Sequence, residues 1–132
     1  MMIGKTTLSL MKNNGFTFRK RLKSFVYAFR GIRLLIGREP NARIHCFAAI
    51  CALVLGFALH ISSTEWIAIT IVIGLVFAFE AINSSIEALA DLVSPEYNEA
   101  IKHTKDLAAG AVLLSALSAL VVGLLIFIPK LI

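Results

Sequence analysis

Charged side chains are scarce in this sequence, and that scarcity limits the class of protein it can encode. Asp, Glu, Lys and Arg make up 16% of its 132 residues, whereas 58% of the residues are hydrophobic. A soluble domain of this size is richer in charge and poorer in apolar side chains. The composition therefore excludes an ordinary water-soluble domain and favours one small integral membrane domain, for which the bilayer is the apolar solvent.

Cysteine and histidine are also rare, and neither forms a ligand pattern. Cys46 and Cys51 lie five positions apart in one apolar run, at different angles on a helix, so they predict neither a disulfide nor a metal site. We interpret the scattered His45, His60 and His103 as interfacial histidines. The basic N-terminal region lacks the apolar run of a cleavable signal peptide, so the apolar spans are expected to direct membrane insertion.

Three long apolar stretches are predicted to span the membrane as helices. They cover residues about 44–61, 66–91 and 107–128. A polar segment at residues 1–18 precedes a basic helix at about 19–37, whose apolar residues recur at helical spacing. The turn at 62–65 contains Ser and Thr, which can cap the next helix. The predicted fold class is all-α, with three transmembrane helices plus an N-terminal amphipathic surface helix, in a single domain over residues 19–132.

Lysine and arginine are unevenly distributed, and their distribution predicts the orientation of the chain. Ten of the thirteen cations lie at or before Arg43, the 62–65 turn has none, and Lys102 and Lys105 lie in the second connection. Connections on the cytoplasmic side carry the excess of cations. We therefore expect a multi-pass protein of the inner (cytoplasmic) membrane, with its N-terminus and its site on the cytoplasmic side. Anionic lipid headgroups are the expected partner of the basic segment, and nucleic acid is not.

Polar residues recur at helical spacing inside the second apolar stretch. Glu80, Asn83, Glu87 and Asp91 are separated by 3, 4 and 4 positions, so they share one helix face, here called the acidic stripe, which Ser84 borders. An ionisable group within a span costs roughly a few kcal/mol, and such groups usually serve function. Glu80 lies well inside the apolar run, whereas Asp91 fits equally well in the headgroup region.

The depth of Glu80 favours chemistry on a lipid. Glu80 lies about 21 Å along the span from Trp66, where a base can meet a lipid hydroxyl near the inner-leaflet interface. Phosphoryl transfer also needs a metal and cations at the phosphates. Glu39 and Glu87 are candidate oxygen ligands of Mg²⁺, and Lys105 is a candidate phosphate contact. A small proton-coupled transporter would also carry an intramembrane glutamate, so that class stays open as a more remote alternative.

The segment from Glu80 to Asp91, EAINSSIEALAD, resembles the signature E-x-x-N-S/T-A/S-I-E-x-x-x-D of the small prokaryotic diacylglycerol kinase and undecaprenol kinase family. Lys105 and Asp106 at the mouth of the third span match the same pattern, as does Glu39 after the basic helix. The resemblance covers residues from about 19 to 128. It implies a homotrimeric lipid kinase with active sites at subunit interfaces, using ATP and Mg²⁺.

The resemblance also implies roles for individual residues. Glu80 is expected to be the catalytic base and to contact the lipid beside Ser84, while Asn83 positions the reacting groups. Lys105 is expected to contact the phosphates. The nucleotide and metal set is expected to comprise Glu39 and Glu87, as metal ligands, together with Asp106. A basic residue at the start of the basic helix also belongs to the pattern; Arg19, Lys20 and Arg21 can each fill that position, and Lys20 and Arg21 are the candidate nucleotide contacts.

Two lipid alcohols are candidate substrates. The family resemblance favours phosphorylation of diacylglycerol to phosphatidic acid. Residues 41–45, Asn-Ala-Arg-Ile-His, resemble the undecaprenol kinase branch more closely, so undecaprenol is the alternative substrate. This segment leads from Glu39 into the first span, near the expected phosphate and away from the lipid tails.

Overall fold

The computed structural model describes residues 17–132, and every regular element in that range is a helix. The four helices are α1, Phe18–Arg38; α2, Pro40–Ala58; α3, Ser63–Val93; and α4, Glu99–Leu131. Helices α2, α3 and α4 are long and apolar enough to cross a membrane. The all-α prediction, with three spanning helices after an amphipathic one, is therefore confirmed. The chain divides into two units, Met1–Arg33 and Leu34–Ile132.

The first unit contains most of α1, an amphipathic helix. Its large apolar side chains are mostly exposed, including Phe25 and Phe29. The guanidinium of Arg30 lies 5.6 Å from the centre of the Tyr27 ring. An exposed apolar face beside a cationic one is typical of a helix that lies at a membrane surface. The predicted polar segment at 1–18 falls, up to residue 16, outside the described residues.

The second unit begins in the last turn of α1, and a proline sets the boundary with α2. Glu39 adopts an extended conformation (φ −100°, ψ 113°), and Pro40 occupies the first turn of α2. A residue before proline disfavours the helical conformation, whereas proline itself fits the first helical position. Helix α2 therefore starts at Pro40, four residues before the predicted apolar span, because its first turn is polar.

The connection between α2 and α3 is tight and capped. His60 has a φ of 51°, which reverses the chain at the end of α2. Ser62 Oγ accepts a hydrogen bond from the Glu65 backbone N–H at 3.2 Å, and Glu65 Oε1 accepts one from the Ser62 N–H at 2.9 Å. This reciprocal capping box satisfies two backbone donors at the start of α3. The capping interpretation of the 62–65 turn is confirmed.

Helices α3 and α4 run antiparallel, as two ion pairs at opposite ends show. Lys105 pairs with Asp91 where α3 ends and α4 begins, and Lys130 pairs with Glu65 at the other end. We call the end of the helix pair that holds Lys105 and Asp91 the proximal end, and the end that holds Lys130 and Glu65 the distal end. The 31 residues of α3 and 33 of α4 span about 46–50 Å, which exceeds a hydrocarbon core of about 30 Å. The polar ends of both helices can therefore project into the interface.

Close packing is concentrated at the distal end. Ile61, Ile69, Ile126 and Phe127 form a buried cluster. Gly56 of α2 lies so close to Trp66 of α3 that a Cβ atom would approach the indole ring to 2.7 Å. Within lipid, such close approach of helices supplies van der Waals contact where the hydrophobic effect is weak. The distal packing fixes α2, α3 and α4 together and leaves the polar face of α3 near the proximal end.

Candidate active site

Glu80 is a buried carboxylate in the proximal half of α3. The residue is 2% exposed, and its Oε1 atom accepts no hydrogen bond. The Nε2 atom of His45, on α2, lies 3.2 Å from that oxygen, but the ring is not aligned for a hydrogen bond. A buried carboxylate without a donor is costly, and such groups are found chiefly where a ligand or a reaction requires them. Glu80 is therefore the central residue of the candidate site.

The remaining polar residues of the α3 face become more exposed toward the proximal end. Asn83, Ser84 and Glu87 are half-buried, and Asp91 is exposed. The Asn83 Oδ1 and Ser84 Oγ atoms are buried without a hydrogen-bond partner. Together with Glu80, they place three unsatisfied polar atoms within little more than one helical turn. The predicted stripe is thus brought together on one face, and its inner part is left ready to bind polar groups of a ligand.

Helix α4 contributes a cation to the exposed end of the stripe. Lys105 Nζ donates a hydrogen bond to Asp91 Oδ1 at 2.5 Å. The charge of Glu87 also acts on Lys105. Asp106 pairs instead with Lys102, one turn earlier on its own helix, at 3.2 Å. The structure therefore joins Lys105 to the stripe through Asp91 and turns Asp106 toward solvent.

The predicted metal ligands Glu39 and Glu87 are both half-buried carboxylates. Glu39 precedes α2 without capping it through its side chain. Among residues 17–132, no three His, Cys, Asp or Glu side chains group closely enough to hold a metal ion by themselves. Mg²⁺ in phosphate-transfer sites is usually held by one or two carboxylates plus the phosphates, so carboxylate oxygens such as these are of the chemical type that it binds. Lys20 and Arg21 lie on the first turn of α1, in the first unit.

An apolar groove of about 540 Å³ runs between α2, α3 and α4. Its lining includes Val76 and Phe77 of α3, Gly123 and Phe127 of α4, and His45 of α2. His45 therefore lines the groove and also lies beside Glu80. Because the rest of the lining is almost entirely aliphatic or aromatic, the groove suits a hydrocarbon chain with a polar group at the end near Glu80.

The sequence is similar to that of a known protein family. The family described as prokaryotic diacylglycerol kinase matches residues 26–127, which is most of the chain. The chain belongs to the prokaryotic diacylglycerol kinase family. It is a membrane lipid kinase, and the predictions of enzyme class and family are confirmed.

Individual relatives carry two different substrate names. Undecaprenol kinase of Bacillus subtilis is 42% identical over 83% of this chain and 89% of its own length. Diacylglycerol kinase of Synechocystis sp. is 34% identical over 92% of this chain and 70% of its own length. Diacylglycerol kinase of Escherichia coli is 29% identical over 84% of this chain and 91% of its own length. The family is therefore common to these proteins, whereas the named lipid is not.

His45 is a residue of the candidate site that the sequence does not predict. The sequence pattern indicates one of three interfacial histidines, yet His45 lies against Glu80. The available signal was its position in the 41–45 segment, which already resembled one branch of the family. Sequence spacing could not reveal the contact, because His45 and Glu80 are on different helices.

Proposed function

We propose that this protein transfers the γ-phosphoryl group of ATP to the hydroxyl of a membrane lipid alcohol. One observation carries the proposal: a buried carboxylate, Glu80, lies against His45, which lines an apolar groove, and Glu80 is on a helix face that becomes polar and exposed toward the proximal end. A lipid chain in the groove would bring its hydroxyl to Glu80. The nucleotide would approach from the exposed end, so the two substrates would meet along one face of α3.

Glu80 is the proposed general base. It accepts the proton of the lipid hydroxyl as that oxygen bonds to the γ-phosphorus and ADP leaves. Asn83 is proposed to position the reacting groups, with its side-chain NH₂ as the donor to the γ-phosphate. Ser84 has a buried Oγ atom without a partner, which suits it to bind the lipid headgroup. Lys105, oriented by Asp91, is the proposed cation at the phosphates.

The nucleotide part of the site is proposed from the carboxylates and cations near the membrane surface. Glu39 and Glu87 would hold Mg²⁺ together with the phosphate oxygens, and the ion supplies neutralisation of phosphate charge when bound. Within residues 17–132, neither carboxylate forms an ion pair or a side-chain hydrogen bond, so their oxygens are available. Asp106, Lys20 and Arg21 are proposed contacts of the nucleotide.

Diacylglycerol is the first proposed substrate, with phosphatidic acid as product. Undecaprenol is the second candidate, and two observations favour it. The relative with 42% identity is named for undecaprenol, and the groove offers few polar groups for the two esters of diacylglycerol. Ser84 and Asn83 are the candidate polar side chains for those esters. We expect activity on both lipids, and we place diacylglycerol first because the matched family and the Synechocystis and Escherichia coli relatives are named for it.

Membrane placement and assembly complete the proposal. The cation distribution supports an inner-membrane protein with its N-terminus and proximal end in the cytoplasm. A homotrimer is proposed because three helices are too few to enclose a lipid, a nucleotide and the polar face of α3. In one chain, small residues such as Ala109 and Ser118 of α4 are exposed, which suits close packing by a neighbouring subunit.

The decisive experiment measures phosphate transfer from labelled ATP by the purified protein, in mixed micelles that contain either diacylglycerol or undecaprenol. Glu80→Gln should still bind nucleotide but turn over about 10²–10⁴-fold more slowly, because the base is removed. Glu96→Gln, in the exposed α3–α4 connection, is the control and should match the wild type. Near-normal turnover in folded Glu80→Gln would contradict the proposed base. A turnover ratio of undecaprenol over diacylglycerol well above tenfold would reverse the proposed order of substrates.

A further inference from the structure

His45 and Glu80 form a pair that joins α2 to the centre of the site. The imidazole Nε2 atom lies 3.2 Å from Glu80 Oε1. The Glu80 side chain is 3% exposed, whereas that of His45 is 24% exposed. The histidine therefore contacts the buried carboxylate and also lines the groove.

The carboxylate needs a hydrogen-bond donor at this position. Its Oε1 atom is buried and accepts no hydrogen bond in the conformation described. A buried charged oxygen without a donor is one of the most expensive polar groups in a protein. The Nε2 atom of His45 is already within hydrogen-bond distance, so a rotation of the ring is enough to direct an N–H at Oε1.

We propose that His45 is a positioning residue, which donates an Nε2–H hydrogen bond to Glu80 Oε1 during the reaction. This inference rests on the proposed function, in which Glu80 is the base. The hydrogen bond holds one carboxylate oxygen toward α2 and leaves the other to accept the proton of the lipid hydroxyl. His45 keeps its own proton throughout. The oxygen–phosphorus bond forms, the bond to ADP breaks, and the transferred proton resides on Glu80.

Three substitutions of His45 separate hydrogen bonding from simple packing. The side-chain amide nitrogen of glutamine can take the place of Nε2, whereas that of asparagine is too short and corresponds to Nδ1. His45→Gln should retain kcat within about threefold, while His45→Asn and His45→Ala should lose about 10- to 100-fold, the effect of one hydrogen bond to a charged group. The KM for ATP should stay unchanged in all three, because the effect acts through Glu80.

His60→Asn is the matched control. His60 is exposed at the distal end, and asparagine tolerates its φ of 51°, so this variant should keep wild-type turnover. Size-exclusion profiles in detergent would confirm that each variant is folded. Equal losses in His45→Gln and His45→Ala would overturn the proposal, as would wild-type kcat in all three variants.

A second measurement does not depend on turnover. In ¹⁵N spectra of the histidine rings, Glu80→Gln should shift the His45 signals and leave those of His60 and His103 in place. His45→Gln identifies the signals by removing them. An unchanged His45 signal in Glu80→Gln would refute the pairing even if the protein phosphorylates lipids. If the His45 signal shifts in Glu80→Gln but the wild-type protein phosphorylates no lipid, the pairing is established and the proposed function is refuted.

Discussion

Ser84 allows a sharp test of the idea that part of α3 is kept unsatisfied for a substrate. Its Oγ atom is buried and has no hydrogen-bond partner. The next residue, Ser85, is exposed, and its Oγ donates to the Ala81 carbonyl at 2.9 Å. The two serines are adjacent on the same helix, so Ser85→Ala is a matched control for Ser84→Ala.

The expected change in stability follows from these contacts. A buried polar group without a partner costs about 1–3 kcal/mol, and alanine is favoured over serine in helices by about 0.5 kcal/mol. Removing the hydroxyl leaves only a small void. Ser84→Ala should therefore raise the free energy of unfolding by about 1–2 kcal/mol, whereas Ser85→Ala should stay within about 0.5 kcal/mol of the wild type.

The same substitution, Ser84→Ala, should weaken lipid binding although it stabilises the protein. If the Ser84 hydroxyl binds the lipid headgroup, Ser84→Ala should raise the KM for the lipid about three- to tenfold, the worth of one neutral hydrogen bond, and leave the KM for ATP unchanged.

The assay combines SDS-titrated unfolding in mixed micelles with steady-state kinetics for wild type, Ser84→Ala and Ser85→Ala. A Ser84→Ala protein that is less stable than wild type would show that the hydroxyl is already satisfied in the folded protein. An unchanged lipid KM would remove Ser84 from the substrate site.

Three further predictions concern the nucleotide side and the assembly. Glu39→Gln and Glu87→Gln should each raise the Mg²⁺ and ATP requirements together, and unchanged nucleotide affinity in both would exclude them as metal ligands. Asp91→Asn should release Lys105 and raise the KM for ATP more than it lowers kcat. Unaltered ATP kinetics in this variant would contradict the proposed role of Asp91. Mixing inactive Glu80→Gln and Lys105→Ala subunits should restore activity if one site draws on two chains, whereas a fully active monomer in detergent would exclude a trimeric site.

Most of the fold could be predicted from the three long apolar stretches, because the bilayer demands long helices and only helices or barrels satisfy the backbone there. The helix ends could not be predicted as well. Helix α4 begins at Glu99, capped by Asn98, eight residues before the predicted apolar span. Its first two turns are polar, and hydropathy detects the part of a helix that lies in lipid and not the part that extends into the interface.

Some features of the candidate site could also be predicted from the sequence, and others could not. Positions along one helix follow from residue spacing, so the face from Glu80 to Asp91 could be read directly from the sequence. Contacts between helices could not, because they depend on helix rotation and crossing. The pairs Asp91–Lys105 and His45–Glu80 each join two helices, and the structure supplied both.

The length of α3 gives a physical reason why one site can serve lipids with unlike tails. A hydrocarbon core of about 30 Å takes about 20 helical residues, so a span that starts at the interfacial Trp66 leaves the core near residue 86. Glu80 then lies about 9 Å inside the boundary, while Glu87 and Asp91 lie outside it. In the proposed mechanism, a lipid alcohol would be presented to Glu80 by the depth of its hydroxyl, and the apolar groove would accept any hydrocarbon chain behind it. Discrimination between lipids must therefore come from polar groups at that depth, of which Ser84 is the one without a partner or an assigned catalytic role.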